Sequence, residues 1–454
     1  MKNLKKRSIA LRKNRTLRGL VFAILVTSFL LPAAAHAANA TVGCPGGSGG
    51  TYPSITAALS TLDPHGPNTI TVSGTCVENI FIDKHERLFI QSASGQTATI
   101  TAADASGIVL QTFQSTGILI SGLVFQGGST GVLLNQGSNV TIVNCTMQRN
   151  SGDGLGMQMA STLVIENSTL QDNQGNGMSV GVGSNATMAT NPNERIRVLR
   201  NGGDGIDVDG SFFQVSFGTL DVENNAGAAI LQTGGRLIIF GGQGVGGGNL
   251  FQGNGEGIDI FQAGSAQFVG KNTIRSNGDF GLQVLGSSVM FTGGGTLPDG
   301  PLNATVIEGH ATVGVNVVRL GELTMNGPHQ IQNNGTATAD PTMRGGIRMN
   351  RGSLTLVTGV QISNNVGPGI RADQNTGTSI RNITVSNNTE ESVRVGRQSV
   401  SGFFPPLAIT GNGVASISCD STSLIFGDLT GISHIECNRI ERAPERPRSE
   451  TVLD

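Results

Sequence analysis

The stretch Asp204-Gly205-Ile206-Asp207 decides the fold, because the same phrase of a polar residue, a glycine and an apolar residue recurs along the chain. Copies stand at Asp153-Gly154-Leu155, Asn176-Gly177-Met178 and Glu256-Gly257-Ile258-Asp259. From Gly107 onward, the repeat positions mostly lie 23 to 33 residues apart. A period of this size is typical of a solenoid, in which each repeat buries its apolar face only against its neighbours.

Within a repeat, short runs alternate apolar and polar residues, as in Val140-Thr141-Ile142-Val143 and Leu354-Thr355-Leu356-Val357. Such runs predict short strands, and the whole pattern predicts an all-β solenoid of about twelve coils. Asparagine recurs four residues before the repeat position, which predicts a ladder of stacked, hydrogen-bonded amides. These asparagines are Asn150, Asn173, Asn201, Asn277, Asn365 and Asn388.

The repeat register and the asparagine ladder resemble the right-handed parallel β-helix superfamily of pectin-lyase-like proteins, in its bacterial secreted type. The resemblance covers roughly residues 50 to 430. The segment Tyr52 to Leu59 is similar to the opening of such chains, and Ile55, Ala58, Leu59 and Leu62 fall on one helical face. The resemblance implies an N-terminal helical cap and a functional surface on the outward face of one strand column.

The first 37 residues predict export. Eight basic residues precede or flank the apolar run Leu20 to Leu31, and the small-residue site Ala35-His36-Ala37 follows it. This is the pattern of a cleaved signal peptide, and the apolar run is short for a membrane span. We therefore expect a secreted or periplasmic protein with no membrane partner after signal removal. The predicted parts are a signal peptide at 1–37, an N-terminal cap and first coils at 38–105, β-helix repeats at 106–400, a C-terminal coil and cap at 401–437 and a disordered tail at 438–454.

The five cysteines would meet an oxidising compartment after export, and their positions predict two local disulfides. Cys44 is expected to pair with Cys76 and Cys419 with Cys437, which leaves Cys145 reduced. Zinc is the competing interpretation of a cysteine cluster, but the chain has no C-x-x-C pair and its histidines are scattered. No metal and no cofactor are expected.

Charge argues against a nucleic-acid partner. Without the signal peptide the chain has 21 Lys and Arg against 31 Asp and Glu, a formal net charge of −10. A phosphate backbone demands clustered basic residues, so this balance does not favour nucleic acid.

The first outward position after each repeat glycine forms a column, and two of its features are candidate sites. Asp207 and Asp259 lie two coils apart with Ala229 between them, so their carboxylates are expected about 10 Å apart. That is near the upper end of the separation in inverting glycosidases. Asp204 and Glu256 precede the same two glycines and extend the acidic patch. Acidic residues beside glycine are also ordinary turn residues, which need no function.

The phrase Asp204-Gly205-Ile206-Asp207 is also similar to the Asp-Gly-Ile-Asp stretch of polygalacturonases. That family's following paired aspartates, Gly-His-Gly and Arg-Ile-Lys are absent in order downstream, and the signatures of pectin methylesterases and calcium pectate lyases are not recognisable. Four matching residues therefore do not assign polygalacturonase activity.

The second feature is a set of three arginines, Arg348, Arg371 and Arg394, at the same position of three consecutive coils. Their guanidinium groups are expected about 5 Å apart. Like charges so placed repel unless an anion or an acidic neighbour such as Asp373 or Glu391 relieves them. An acidic polysaccharide would suit this ladder, and solvated arginines with local acidic partners are the alternative.

These features favour an exported β-helix protein that binds polysaccharide along its solenoid face, without demonstrated catalysis. A polysaccharide hydrolase or lyase with its acidic site on the same face is the first alternative, and a purely structural or adhesive solenoid is the second. The fold does not choose among them. The lack of Trp and the single Tyr weigh against a sugar site built on aromatic platforms.

Overall fold

The fold is that of a computed structural model, in which the predicted signal peptide up to His36 and the last twelve residues of the predicted tail lie outside the described residues. The structure describes residues 37–188, 195–216, 219–241, 248–293, 304–336, 339–412 and 415–442. In these segments, no helix has the length and apolar character that crossing a membrane requires.

Each typical coil contains three short strands. The first lies in a fifteen-stranded sheet, and the next two lie in a sheet of twenty-nine strands. Corresponding strands of successive coils pair in parallel, as Asn139–Val143 pairs with Thr162–Glu166. The connections between the sheets are short turns, often with a residue in the left-handed backbone region, such as Gln136 at φ 50°. The described chain is therefore a parallel β-helix, as the repeat period predicts.

The strands of the fifteen-stranded sheet are Ile80–Asp83, Ile108–Phe113, Thr130–Asn135, Leu155–Met157, Met178–Gly181, Ile206–Asp209, Ala228–Thr233, Glu256–Phe261, Leu282–Leu285, Val313–Val318, Gly345–Asn350, Ile370–Asp373, Val393–Val395, Ile417–Cys419 and Ile435–Glu436. The other sheet has as first strands Ala38–Gly43, Asn68–Ser73, Leu88–Ser92, Ile118–Ser121, Asn139–Val143, Thr162–Glu166, Asn185–Met188, Phe212–Val215, Arg236–Phe240, Ser265–Val269, Ser288–Thr292, Glu322–Asn326, Ser353–Val357, Leu424–Gly427 and Ile440–Arg442. Its second strands are Thr75–Val77, Ala98–Thr101, Leu123–Gln126, Thr146–Gln148, Thr169–Gln171, Arg195–Leu199, Thr219–Glu223, Asn249–Gln252, Asn272–Arg275, Thr305–Glu308, Gln330–Gln332 and Gln361–Ser363, while Gly377–Ser386 and Val400–Thr410 span both positions.

The first sheet has fifteen strands, three more than the roughly twelve coils that the sequence predicts. The additional strands are Ile80–Asp83, Ile417–Cys419 and Ile435–Glu436, none of which follows a glycine. The ordered chain also extends beyond Asn438, the expected start of the tail, because Ile440–Arg442 pairs with Leu424–Gly427.

The core is a continuous column of inward side chains from all three strand positions. Ile206 and Ile258 are fully buried in it, as their alternation with Asp207 and Asp259 predicts. The predicted asparagine ladder is confirmed: the side-chain amide of Asn150 donates to Oδ1 of Asn173 at 2.9 Å. The ladder continues in order through Asn201, Asn225, Asn254, Asn277, His310, Asn334, Asn365, Asn388 and Asn412.

Both ends of the described solenoid carry a disulfide. The predicted pairs Cys44 with Cys76 and Cys419 with Cys437 are confirmed, and Cys145 is reduced and buried. Near the first pair lies the helix Ile55–Leu59, whose Ile55, Ala58 and Leu59 are buried. Its role as a cap on the apolar stack stays a prediction.

Candidate ligand-binding face

The outward side chains of the fifteen-stranded sheet form one continuous column along the solenoid, which we call the outer column. Each member is in register with the next, so successive members lie about 4.8 Å apart along the solenoid axis. In order, the outer column is Phe81, Gln111, Leu133, Gly156, Ser179, Asp207, Leu231, Asp259, Gln283, Asn316, Arg348, Arg371, Arg394, Ser418 and Glu436.

The register places Asp207 and Asp259 two coils apart, but Leu231 lies between them. The expectation of Ala229 at that position was wrong. Ala229 is fully buried and occupies the place that Gly257 has in the next coil. In the coil of Leu231, the glycine is Gly227, which lies two residues before Ala229. Counting two residues on from this glycine therefore selects Ala229, whose side chain points inward.

Asp259 points away from the core and is nevertheless only 3% exposed. Its Oδ1 atom is buried and has no hydrogen-bond partner among the described residues. Burial, together with hydrogen bonding to Glu256 and the negative charges of Glu256 and Asp204, raises the pKa of Asp259 well above its usual range. At neutral pH this side chain therefore stays protonated.

Asp207 is half-buried, and burial with the charges of Asp204, Asp209 and Asp153 raises its pKa to about 6. The register separates Asp207 from Asp259 by two coil spacings, or roughly 10 Å. The two carboxyl groups therefore lie on one face with pKa values above that of an exposed aspartate.

Asp204 has a structural role in its turn. Its Oδ1 atom accepts a hydrogen bond of 2.7 Å from the backbone N–H of Ala228, one coil away. Its own backbone N–H donates to Oδ1 of Asn176 at 2.7 Å. The Asp204 side chain also occupies the space that a Cβ atom at Gly227 would need. These contacts favour the interpretation of Asp204 as a turn residue that ties successive coils together.

The acidic residues of this face are Asp207 and Asp259 of the outer column and the neighbouring Asp204 and Glu256. Within the described segments, no group of three or more His, Cys, Asp or Glu side chains is positioned to hold a metal ion.

In the coils after Asp259, the outer column contains a run of hydrogen-bonded polar side chains. The Nη1 atom of Arg348 donates to Oδ1 of Asn316 at 2.9 Å, and Nδ2 of Asn316 donates to Oε1 of Gln283 at 2.9 Å. Asn316 is 3% exposed. Burial and the positive charge of Arg371 lower the pKa of Arg348, while Asp373 and Asp340 act in the opposite direction.

The register stacks Arg348, Arg371 and Arg394 in consecutive coils, as the sequence spacing predicts. Their surroundings differ. Arg371 donates from Nε to Oδ2 of Asp373 at 2.7 Å and from Nη1 to the carbonyl oxygen of Pro341 at 3.3 Å. Arg394 is exposed and has no side-chain partner in the described part of the chain. Asp373 thus relieves the repulsion at the middle arginine, as the sequence suggests, and Arg394 is left available.

Sequence reasoning missed the turn that covers Arg371. Gly346 lies twelve positions after Asn334 of the ladder, where four are usual, and the carbonyl oxygen of Pro341 in this insertion accepts a hydrogen bond from Arg371. The larger spacing between Asn334 and Gly346 could have indicated this inserted turn. The hydrogen bonds that link Arg348 through Asn316 to Gln283 were also not predicted from the sequence.

Stacked parallel coils, an internal asparagine ladder and one continuous outer column define the chain as a right-handed parallel β-helix. Residues 80–244 match the family model described as the right handed beta helix region. The match agrees with the right-handed parallel β-helix fold that the sequence predicts. No curated protein matches the chain.

Several solved structures are similar to this chain, all at low sequence identity. The A-module of mannuronan C-5 epimerase AlgE6 from Azotobacter vinelandii is 14% identical, with 86% of this chain and 95% of that chain covered and a TM-score of 0.41. The alginate lyase from Paenibacillus sp. str. FPU-7 is 10% identical, with coverages of 89% and 99% and a TM-score of 0.27. Pectate lyase Pel9A is 11% identical, with coverages of 85% and 80% and a TM-score of 0.20.

Proposed function

We propose that this protein binds an extended acidic polysaccharide along its outer column, from Gln283 to Arg394. The observation that carries the proposal is the polar run in which Arg348 donates to Asn316 and Asn316 donates to Gln283. Arg371 and Arg394 continue the run in register. A rigid column presents its binding groups at a fixed spacing, so little conformational entropy is lost when an extended ligand binds.

The charges of the outer column favour an anionic ligand. Arg348 and Arg371 lie in consecutive coils and repel each other, and Asp373 neutralises only part of that charge. Carboxylate or sulfate groups would relieve the remainder through charge-assisted hydrogen bonds. At the acidic end, the raised pKa of Asp259 keeps that side chain uncharged at neutral pH, which limits repulsion of an anionic chain.

A secreted or periplasmic location accompanies this proposal. Two disulfides form in oxidising compartments, which agrees with the signal peptide predicted for residues 1–37. Acidic polysaccharides are available there, and the mature chain carries no net positive charge that would favour nucleic acid.

The test is a binding screen of the exported protein against alginate, pectate and neutral dextran at low salt. Arg394→Gln should weaken binding to the acidic chains several-fold, because an exposed arginine contributes a modest, salt-sensitive contact. Arg149→Gln, which removes an exposed arginine from another surface, serves as the matched control and should bind like the parent. A parent protein that binds neither alginate nor pectate would contradict the proposal and favour a structural or adhesive solenoid.

A second candidate function is that of a polysaccharide hydrolase or lyase whose acidic site comprises Asp207, Asp259, Asp204 and Glu256. The raised pKa of Asp259 favours it, because a carboxyl group that stays protonated near neutral pH can act as a general acid, while Asp207, with a pKa of about 6, is mostly ionised there and can act as a base. Their separation of roughly 10 Å is close to that of the carboxyl pair in inverting glycosidases. Release of reducing ends or of unsaturated sugars, abolished by Asp259→Asn, would support this function.

A further inference from the structure

A second set of arginines lies at the corner where the chain leaves the fifteen-stranded sheet. Arg319, Arg351 and Arg397 each stand three residues after an outer-column residue and occupy the same position of their coils as Gln374. Their backbones stack directly: the N–H of Arg319 donates to the carbonyl oxygen of Asn350, and the N–H of Arg351 donates to that of Asp373. These three arginines were not predicted as a site from the sequence, although their spacing is the same as that of the outer-column residues before them.

The backbone at this corner does not favour arginine. Arg319, Arg351 and Arg397 have φ angles of 51°, 57° and 55°, in the left-handed region where glycine and asparagine are preferred. The coil before Arg319 has Gly286 at this position. Other coils carry Lys84, Gln136 and Gln262 at this corner, also at positive φ, so what distinguishes these three coils is the repeated positive charge.

The three arginines line a groove. One concave region of about 380 Å³ is lined by Gln283, Val318, Arg319, Asn350, Arg351 and Gln374. A second of about 390 Å³ is lined by Arg351, Gln374, Arg397, Gln398, Asp420 and Thr422. Arg351 and Gln374 belong to both, so the two regions form one track parallel to the solenoid axis. Spanning five coil steps from Gln283 to Asp420, the track is roughly 24 Å long.

The charge inside this corner groove is net positive. Arg319, Arg351 and Arg397 are exposed, and no described residue forms an ion pair with their side chains. The one acidic lining residue, Asp420, accepts hydrogen bonds from the backbone N–H of Arg397 in the preceding coil and from the hydroxyl groups of Thr422 and Ser423. Its single negative charge offsets one of the three cations, so the lining keeps a net positive charge.

We infer that the corner groove is a binding track for an acidic polysaccharide chain, with Arg319, Arg351 and Arg397 contacting its anionic groups and Gln374 and Asn350 its hydroxyl groups. The ligand class rests on the proposed function, while the site is a different one. One coil step is comparable with the length of one sugar residue, so successive arginines would meet anionic groups of successive or alternate sugars. A polysaccharide suits this track better than nucleic acid, since the chain outside the predicted signal peptide has a formal net charge of −10, which disfavours a phosphate backbone.

The test measures binding of polygalacturonate, with neutral dextran as the uncharged probe, at low and raised salt. The groove variant R319Q/R351Q/R397Q is compared with the matched variant R149Q/R197Q/R381Q, which removes three exposed arginines from other surfaces. The groove variant should lose about tenfold in affinity at low salt, because three exposed charge contacts each contribute modestly. The matched variant should bind within about twofold of the parent, and raised salt should shrink the difference.

A further variant, R348Q/R394Q, distinguishes binding in the corner groove from binding along the outer column. If the groove variant binds polygalacturonate like the parent while R348Q/R394Q loses binding, the corner track is refuted and the proposed function stands. If only the groove variant loses binding, the ligand follows the corner and the outer column is not its site. A parent that binds neither polygalacturonate nor alginate overturns both, and if it binds only alginate the same variants are compared with alginate. The single substitution Arg351→Gln, expected to weaken binding by severalfold, repeats the test should the triple variant be unstable.

Discussion

At the scale of single residues, two histidines occupy buried positions in the hydrogen-bonded ladders of the solenoid. His310 takes the place of an asparagine, with Nδ1 accepting from the N–H of Asn277 at 3.3 Å. His329 accepts through Nδ1 from the N–H of Thr305 at 3.1 Å. Burial lowers the pKa of each imidazole to about 4. Both rings are therefore neutral in the folded protein over a pH range in which they would be charged in the unfolded chain.

These histidines predict a loss of stability in acid. Between pH 6.5 and about 4 the unfolded chain binds more protons than the folded one, so the free energy of unfolding falls as the pH is lowered through this range. His310→Asn should make this fall shallower by on the order of 1 to 3 kcal/mol, since an asparagine suits the ladder and does not titrate. Denaturant unfolding of both proteins at pH 7 and 4.5 measures the difference, with exposed His65→Gln as the control.

Asp259 predicts the opposite dependence on pH. Its pKa is raised in the folded protein, so its contribution to stability is present below the pKa of an ordinary aspartate and is lost as the pH rises towards the folded value. Asp259→Asn keeps the shape without the charge. We expect this variant to lose less stability than the parent between pH 5 and 8, as followed by melting temperature. Equal pH profiles would show that Asp259 ionises normally and would weaken the case for catalysis at this site.

At the scale of elements, the repeat glycine leaves room for the backbone of the next coil, whose distance is that of hydrogen-bonded strands. A Cβ atom at Gly257 would collide with the backbone of Gly281 in the next coil. Gly257→Ala should therefore lower the free energy of unfolding by about 1 to 3 kcal/mol, the usual cost of overpacking. Gly377, in a strand of the other sheet, has open space where its Cβ would be. Gly377→Ala is the matched control and should melt close to the parent.

This packing explains how much of the fold could be predicted from sequence. Where a glycine, or Ser392 in the coil of Arg394, packs against the neighbouring coil, counting two residues on identifies the outward residue, and Arg348, Arg371 and Arg394 are indeed in register. In the coil of Leu231 an alanine takes that position, so the count failed. Strands without any glycine, such as Ile417–Cys419, gave no signal.

The candidate site was less predictable because its chemistry depends on neighbours from distant coils. The outward direction of Asp259 follows from strand alternation, but its burial and its interaction with Glu256 do not. Likewise, the contact of Arg371 with Pro341 depends on how an inserted turn folds back. The corner position of Arg351 was readable from spacing, yet its exposure in a groove required the structure.

At the scale of the whole molecule, stability is distributed along the axis, since each coil contacts mainly the coils before and after it. The ends lack one neighbour, and a disulfide lies near each. The single free thiol, Cys145, is buried in an interior coil, and burial raises its pKa to about 11. It is therefore unreactive in the folded state and becomes reactive when the coils around it open.

This arrangement predicts that the C-terminal end can loosen without opening the interior. Cys419→Ser together with Cys437→Ser removes a cross-link over 18 residues, which stabilises the end by about 3 kcal/mol in the chain-entropy model. Hydrogen exchange should rise in the strands Ile417–Cys419 and Leu424–Gly427, while alkylation of Cys145 in the native protein stays as slow as in the parent. Since coupling between coils passes only through neighbours, loss at one end decays along the stack. Faster alkylation of Cys145 in the double variant would instead mean that the solenoid opens as a single cooperative unit.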